Sequence, residues 1–385
     1  MSGAPLLYLD AAATSPVRRE VLEAMWPYLT GTFGNASSHH GVGEAAAKAL
    51  SAARAEVARF LGCRASEVTF TSGGTEADNL AVKGIALATP RGRHIVTTPI
   101  EHEAVLASVD YLVRVHGFEA TFVPVGRDGL VAPDDFAAAL RPGTTLAAVM
   151  LANNEIGTIE PVAELAELAH EHSVPLFTDA VQAAGWLPLD VKDLGVDALS
   201  IAGHKLGAPK GVGALYVRGR IPLEPVLHGG GQERGRRSGT ENVAAAVGLA
   251  TAVRLAAAGR EEAARSAAHA RDAFIAAVLG SVPEARLTGH AAARLPGTAS
   301  FVFPGVNGEA ILLELERRGV ISSSGSACAA GSEDASHVLL AAGYEEDVAR
   351  TAVRFSWGAD VEEERLLAVA PLVAEAVRAV ASLGA

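Results

Sequence analysis

The sequence predicts an α/β fold: a large domain on a mostly parallel seven-stranded sheet, followed by a smaller α+β C-terminal domain. Three observations carry this. Between residues 67 and 217, short apolar runs alternate with stretches of helical periodicity, the pattern of strands joined by crossover helices. Residues able to do chemistry gather where those strands end. Past the Gly-rich stretch HGGGQERGRRSGT (228–240) the alternation stops, and Ala-rich helical sequence leads into a looser mixture of strands and helices. A length of 385 residues suits one large and one small domain with a substantial core.

Taken in order, residues 6–9 form a short apolar strand ending at Asp10, and residues 18–29 are helical. Residues 31–43 read as loop and 44–61 as helix. A strand at 67–71 runs into SGGTEADN, which opens a helix with Ala77, Leu80, Ala81, Gly84, Ile85 and Ala88 on one apolar stripe. Thr75 and Asp78 there have capping-box-like spacing. Further strands are expected at 94–98, 120–125, 145–151, 174–178, 198–201 and 213–217, with helices at 103–116, 133–140 and 161–172 between the earlier of them. Residues 241–278 look like a connector with a second helix. Then come a strand at 298–303, a helix at 308–318, a Ser/Gly loop at 322–332, a helix at 335–342, a strand at 352–356 and a last helix at 362–383.

The formal net charge of −12 argues against nucleic acid or an anionic membrane surface as main partner. No apolar run approaches the ~18–20 residues of a membrane span, and the N-terminus lacks the features of a secretory signal. Cys63 and Cys328 are the only cysteines, which points to a reducing cytoplasm and no disulfide framework.

In open α/β sheets, ligands bind beyond the carboxyl ends of the strands. Thr75, His102, Asn154, Asp179, Gln182, His204 and Lys205 all fall there. Lys205 is one of only five lysines, and a desolvated amine at a strand exit can attack a carbonyl. Asp179 could keep a heteroaromatic nitrogen protonated, as pyridoxal phosphate requires, or cap a helix. SGGTE puts small residues and a hydroxyl at a helix start, where free N–H groups favour a phosphate. His102 could stack on a ring and shuttle protons. Cys63, in FLGC, reads as a small buried hydrophobe. Cys328, in SSSGSACAAGS, has no apolar wall and reads as a nucleophile that travels. Arg354, in the apolar strand AVRFS, could fork onto a substrate carboxylate or serve a structural ion pair.

These segments together resemble a known family. YLDAAATSPV, TSGGTEADN, EHEAV, NNEIG, DAVQ, GHK, RSGTEN, SSGSAC and VRFSWG follow the order and spacing of the cysteine desulfurases of the NifS/IscS type. Those are pyridoxal 5'-phosphate enzymes of the aspartate-aminotransferase (type I) fold. The resemblance implies conversion of L-cysteine to L-alanine, with sulfur passing to a cysteine persulfide and on to acceptors such as an iron–sulfur scaffold. It implies that Lys205 links the cofactor, Asp179 pairs with the ring nitrogen, Gln182 contacts the ring hydroxyl, and His102 stacks and transfers protons. Gly74, Thr75 and His204 would cradle the phosphate, with Thr240 reaching it from the neighbouring subunit of a homodimer. Asn154 and Arg354 would hold the substrate carboxylate, and Cys328 would accept the sulfur. Residues 15–254 would form the cofactor domain, and residues 1–14 with 255–385 a small domain carrying a mobile loop at 322–334. A selenocysteine lyase or an aminotransferase of the same fold is the alternative. One position departs from the pattern: Ala202 stands three before the lysine, where a hydroxyl is common.

Overall fold

The computed structural model describes residues 6–88, 91–325 and 335–382. Its main sheet has seven strands in the order Val68–Thr71, Gly213–Val217, Ala198–Ala202, Leu176–Asp179, Thr144–Ala148, His94–Thr97 and Glu119–Phe122. Gly213–Val217 runs antiparallel to both neighbours, and every other pairing is parallel. Six of the seven strands, all but the edge strand Glu119–Phe122, are buried along their whole length, as a sheet covered on both faces requires.

Side chains alternate between two cores. Phe177, Ala198 and Leu215 face the helices Gly74–Ala88 and Glu103–His116, while Leu176, Leu199 and Ala214 face the other side. The stripe expected on Gly74–Ala88 is the buried one, with Ala77, Leu80, Ala81, Gly84 and Ile85 inward. A separate antiparallel sheet joins Ala352–Ser356, Thr298–Val302 and Arg286–Leu287. It packs around Phe274, Phe301, Phe355 and Trp357, with Phe274 edge-on to Phe355 at 5.3 Å between centroids.

Residues 241–278, expected as a connector and a second helix, form one helix of 39 residues, Val243–Ser281. Alanine carries the helix through, with no proline to break it. Its first part is buried in the large core and its last part in the small one. By length and composition it is the one helix among the described residues that could cross a membrane, but half of its most apolar window is buried in protein. The last helix is divided instead, into Glu363–Leu367 and Val369–Ala381, with Pro371 in the first turn of the second. The two-residue strands Leu7–Tyr8 and Val320–Ile321 pair in parallel.

Candidate active site

Asp179 is the last residue of its strand and is buried; its Oδ1 accepts from Val181 N at 2.8 Å. Burial raises its carboxyl above the ordinary value, opposed by the Val181 N–H and the positive charge of Lys205. Lys205 ends the 3₁₀ turn Gly203–Lys205 that leaves the adjacent strand. Its Nζ donates to the carbonyls of Ala12 and Ala13, the latter at 2.7 Å. Gln182 Nε2 donates to the same Ala12 oxygen at 3.0 Å. The chain's first segment thus lies across the lysine.

Ser15 fixes it there: its N and Oγ donate to the His204 carbonyl at 2.9 and 2.8 Å, and its Oγ accepts from Gly207 N. The sequence signal for Ser15 and Asp10 is slight, a strand ending in Asp10 within YLDAAATSP. A cavity of about 470 Å³ borders the lysine end of the site, with Gln182, Lys205, Ser356 and Trp357 among its walls. Asp179, His102 and Thr75 are not among those walls.

Gly74 and the facing Gly213 have no room for a side chain. A Cβ on Gly74 would come 2.9 Å from Val181 Cγ2, and one on Gly213 would come 2.7 Å from the Gly73 carbonyl carbon. Ala202 is buried beside it, 3.5 Å from that same Gly74 position. Thr75 is exposed at the helix start. Glu76 turns back to accept from Ser72 N at 2.8 Å and pairs with Arg237 at 2.8 Å, tying the 228–240 stretch to this end. Asp78 does not cap the helix; it is buried and accepts from Ser200 Oγ.

His204 Nδ1 lies 3.2 Å from Thr14 Oγ1. Burial, then Lys205 and Lys210, push its imidazole down to about 4, so it meets an anion as a neutral hydrogen-bonding group. His102 caps the helix Glu103–His116, its Nδ1 accepting from Ala104 N at 3.1 Å. That bond orients the ring and puts the proton of the neutral form on Nε2.

Arg354 is buried in the strand Ala352–Ser356. Its Nη1 donates to the Asn154 carbonyl at 2.8 Å and the Gly325 carbonyl at 3.3 Å. Nη2 pairs with Asp10 at 2.6 Å, and the buried Nε has no hydrogen-bond partner. Of the two sequence readings of this arginine, the ion pair with Asp10 is the structural one. Asn153, fully buried, builds the turn by accepting from Glu155 N and Ile156 N, which leaves Asn154 half-buried beside Arg354. Thr240 is exposed, at the end of the stretch that Arg237 ties down. Cys328 lies outside the described residues, as do positions 326–334 of the expected loop.

The profile of the family Aminotransferase class-V matches residues 7–369, and the chain belongs to that family. Among its relatives, the cysteine desulfurase IscS of Methanosarcina thermophila is 45% identical over 376 residues, 97% of this chain and 93% of that one. The cysteine desulfurase of Cereibacter sphaeroides is 45% identical over 383 residues, 98% of each chain. A solved NifS-like protein superposes with a TM-score of 0.89 at 35% identity, covering 96% of this chain and 98% of the other. The structure of SspA in complex with cysteine gives 0.80 at 35% identity, covering 91% and 99%. Within the class-V aminotransferases, the chain is a member of the cysteine desulfurase family.

Members of this family use pyridoxal 5'-phosphate, and the donor set here fits it. An amine, a buried carboxylate one strand away, and a glycine turn opening a 15-residue helix supply what its carbonyl, ring nitrogen and phosphate each require.

Proposed function

We propose that the chain takes sulfur from L-cysteine, releasing L-alanine, and holds that sulfur as a persulfide on Cys328 before passing it to an acceptor protein for iron–sulfur cluster assembly. The observation that carries this reading is the meeting of Lys205, Asp179 and Gln182 at adjacent strand ends, in a chain 45% identical to named cysteine desulfurases. When bound, pyridoxal 5'-phosphate supplies the electron sink that lets negative charge form at the substrate's α carbon.

The chain's own residues do the rest. Asp179 holds a proton on the ring nitrogen. Lys205 Nζ binds the cofactor covalently and moves the α proton. Gln182 orients the ring hydroxyl, and His102 stacks on the ring and serves proton transfer from Nε2. Gly74, Thr75 and neutral His204 hold the phosphate, joined by Thr240 from the other copy of a homodimer. Arg354 and Asn154 orient the substrate carboxylate; the unpartnered Nε and the fork shared with Asp10 are the donors available for it. The Cys328 thiolate attacks the substrate sulfur: a sulfur–sulfur bond forms, the carbon–sulfur bond breaks, and its electron pair returns to the carbon skeleton, which is protonated to alanine. We assign residues 15–254 to cofactor binding, and residues 1–14 with 255–385 to the part that carries the thiol.

Incubating the purified holoenzyme with L-cysteine should yield alanine without any keto-acid acceptor, together with a mass gain of one sulfur on Cys328. Cys328→Ala should keep the bound cofactor and its spectral response to cysteine, yet form no persulfide. Undiminished sulfide release by that variant overturns the assignment, and dependence on a keto acid marks an aminotransferase instead.

A further inference from the structure

Asp78 has the spacing of a helix cap and does none of a cap's work. It lies one turn into Gly74–Ala88 on the buried side, 1% exposed. That helix covers the sheet face carrying Phe177 and Ala198. Because side chains alternate along a strand, the next positions on this face are Asp179 and Ser200, which lie side by side in the parallel register. Ser200 Oγ is 2.6 Å from Asp78 Oδ1. The apolar layer under the helix therefore ends in two acids and a hydroxyl, directly beneath the cofactor-binding strand ends.

Two buried carboxyl groups within reach of each other's charge do not both ionise. The groups facing Asp78 are Asp179 from its strand, Ser200 from the next strand, and His102 and Glu101 ahead of the neighbouring helix. His102 is committed as an acceptor at Nδ1, in its neutral form. Asp179 accepts a backbone N–H and feels Lys205, both of which favour a carboxylate. Asp78 has a hydroxyl, which can accept a proton's hydrogen bond as readily as give one.

We propose that Asp78 is a positioning residue: it stays protonated, so that the single negative charge of the buried pair rests on Asp179, where the cofactor's ring nitrogen needs it. This rests on the reading of Asp179 as the ring-nitrogen partner. Asp78 touches neither cofactor nor substrate; it acts by refusing the charge.

The test is the infrared difference spectrum of the holoenzyme at neutral pH, wild type minus Asp78→Asn. It should contain the carbonyl stretch of a protonated carboxylic acid, lost in the variant. Ser200→Ala should shift that band without removing it. Cofactor affinity, measured by reconstituting each apoprotein, should stay within about threefold for Asp78→Asn and weaken by about tenfold or more for Asp179→Asn, the loss expected for a hydrogen bond to a charged group. No acid band lost in Asp78→Asn, or a loss of affinity equal to that of Asp179→Asn, overturns the proposal while leaving the role of Asp179 intact. Undiminished affinity in Asp179→Asn overturns the ring-nitrogen reading itself. Should Asp78→Asn fail to fold, the Ser200→Ala spectrum decides: a shifted acid band supports the proposal and an unchanged one ends it.

Discussion

Glu160 is buried where the chain leaves the Asn153–Asn154 turn. Its Oε2 accepts from Val131 N at 2.9 Å and its Oε1 has no partner. Burial pushes its carboxyl up to about 8, and Glu101, next to His102, is raised to about 8 for the same reason. Such a group keeps its proton in the folded chain and loses it in the unfolded chain at ordinary carboxylate values. The unfolded state therefore binds fewer protons across that window, and stability falls as pH rises from about 4.5 to about 8. Glu160→Gln should flatten this dependence by one proton, about 1.4 kcal/mol per pH unit within the window. Urea midpoints at pH 5, 6, 7 and 8 measure it, and parallel wild-type and variant curves would falsify the assignment. The residues legible in sequence were those whose chemistry is rare in their setting, such as Lys205 among five lysines or Arg354 in an apolar strand. Asp10, Ser15, Glu101 and Asp78 were not, because their partners come from elsewhere in the fold. Arg354 lies 344 positions from Asp10, and Ser200 lies 122 from Asp78.

At the scale of elements, the alternation of strands and helices was readable because each element is long enough for its period to repeat. Arg286–Leu287 and Val320–Ile321, at two residues each, have no period to read, whereas Leu7–Tyr8 lies within the apolar run expected as a strand at 6–9. Nor does local pattern reveal how the 228–240 stretch is held. Arg54, on the helix Gly41–Phe60, forks onto Glu233 at 2.6 and 2.7 Å, both side chains buried, while Glu233 also accepts from Phe70 N. Glu233 and Arg234 adopt φ of 49° and 60°, a left-handed backbone that costs non-glycine residues energy. The ion pair offsets that cost and holds the stretch leading to Thr240. Arg54→Ala leaves Glu233 buried without its partner and should destabilise the protein by about 3–5 kcal/mol. Guanidinium unfolding is the measurement; a midpoint within error of wild type would show the clamp to be dispensable.

For the whole molecule, the strand order and the separate packing of the small sheet put the proposed site where the large and small parts meet. The large core supplies Asp179 and Lys205, the small sheet supplies Arg354, and the first segment crosses from one to the other. Leu7–Tyr8 pairs with the small part, Asp10 bridges to Ser356, and Ser15 is bonded to the lysine turn. The change of pattern after residue 240 follows the last strand of the seven-stranded sheet, Gly213–Val217. It did not show that the two parts share an unbroken helix, because an Ala-rich run looks the same whether one helix or two.

That helix has a mechanical consequence. At ~1.5 Å per residue its 39 residues span ~58 Å. Both ends are rooted in protein, and a middle turn or two, around Glu261 and Glu262, is exposed. Such a beam transmits torque: neither core can loosen without straining backbone hydrogen bonds that continue into the other. The two should therefore melt as one unit in calorimetry. Glu261→Pro cuts the beam where it touches neither core, at a cost of about 3 kcal/mol or more, and should split the single heat-absorption peak into two. A variant that still melts in one step would mean that contacts across the cleft, rather than the beam, bind the halves together.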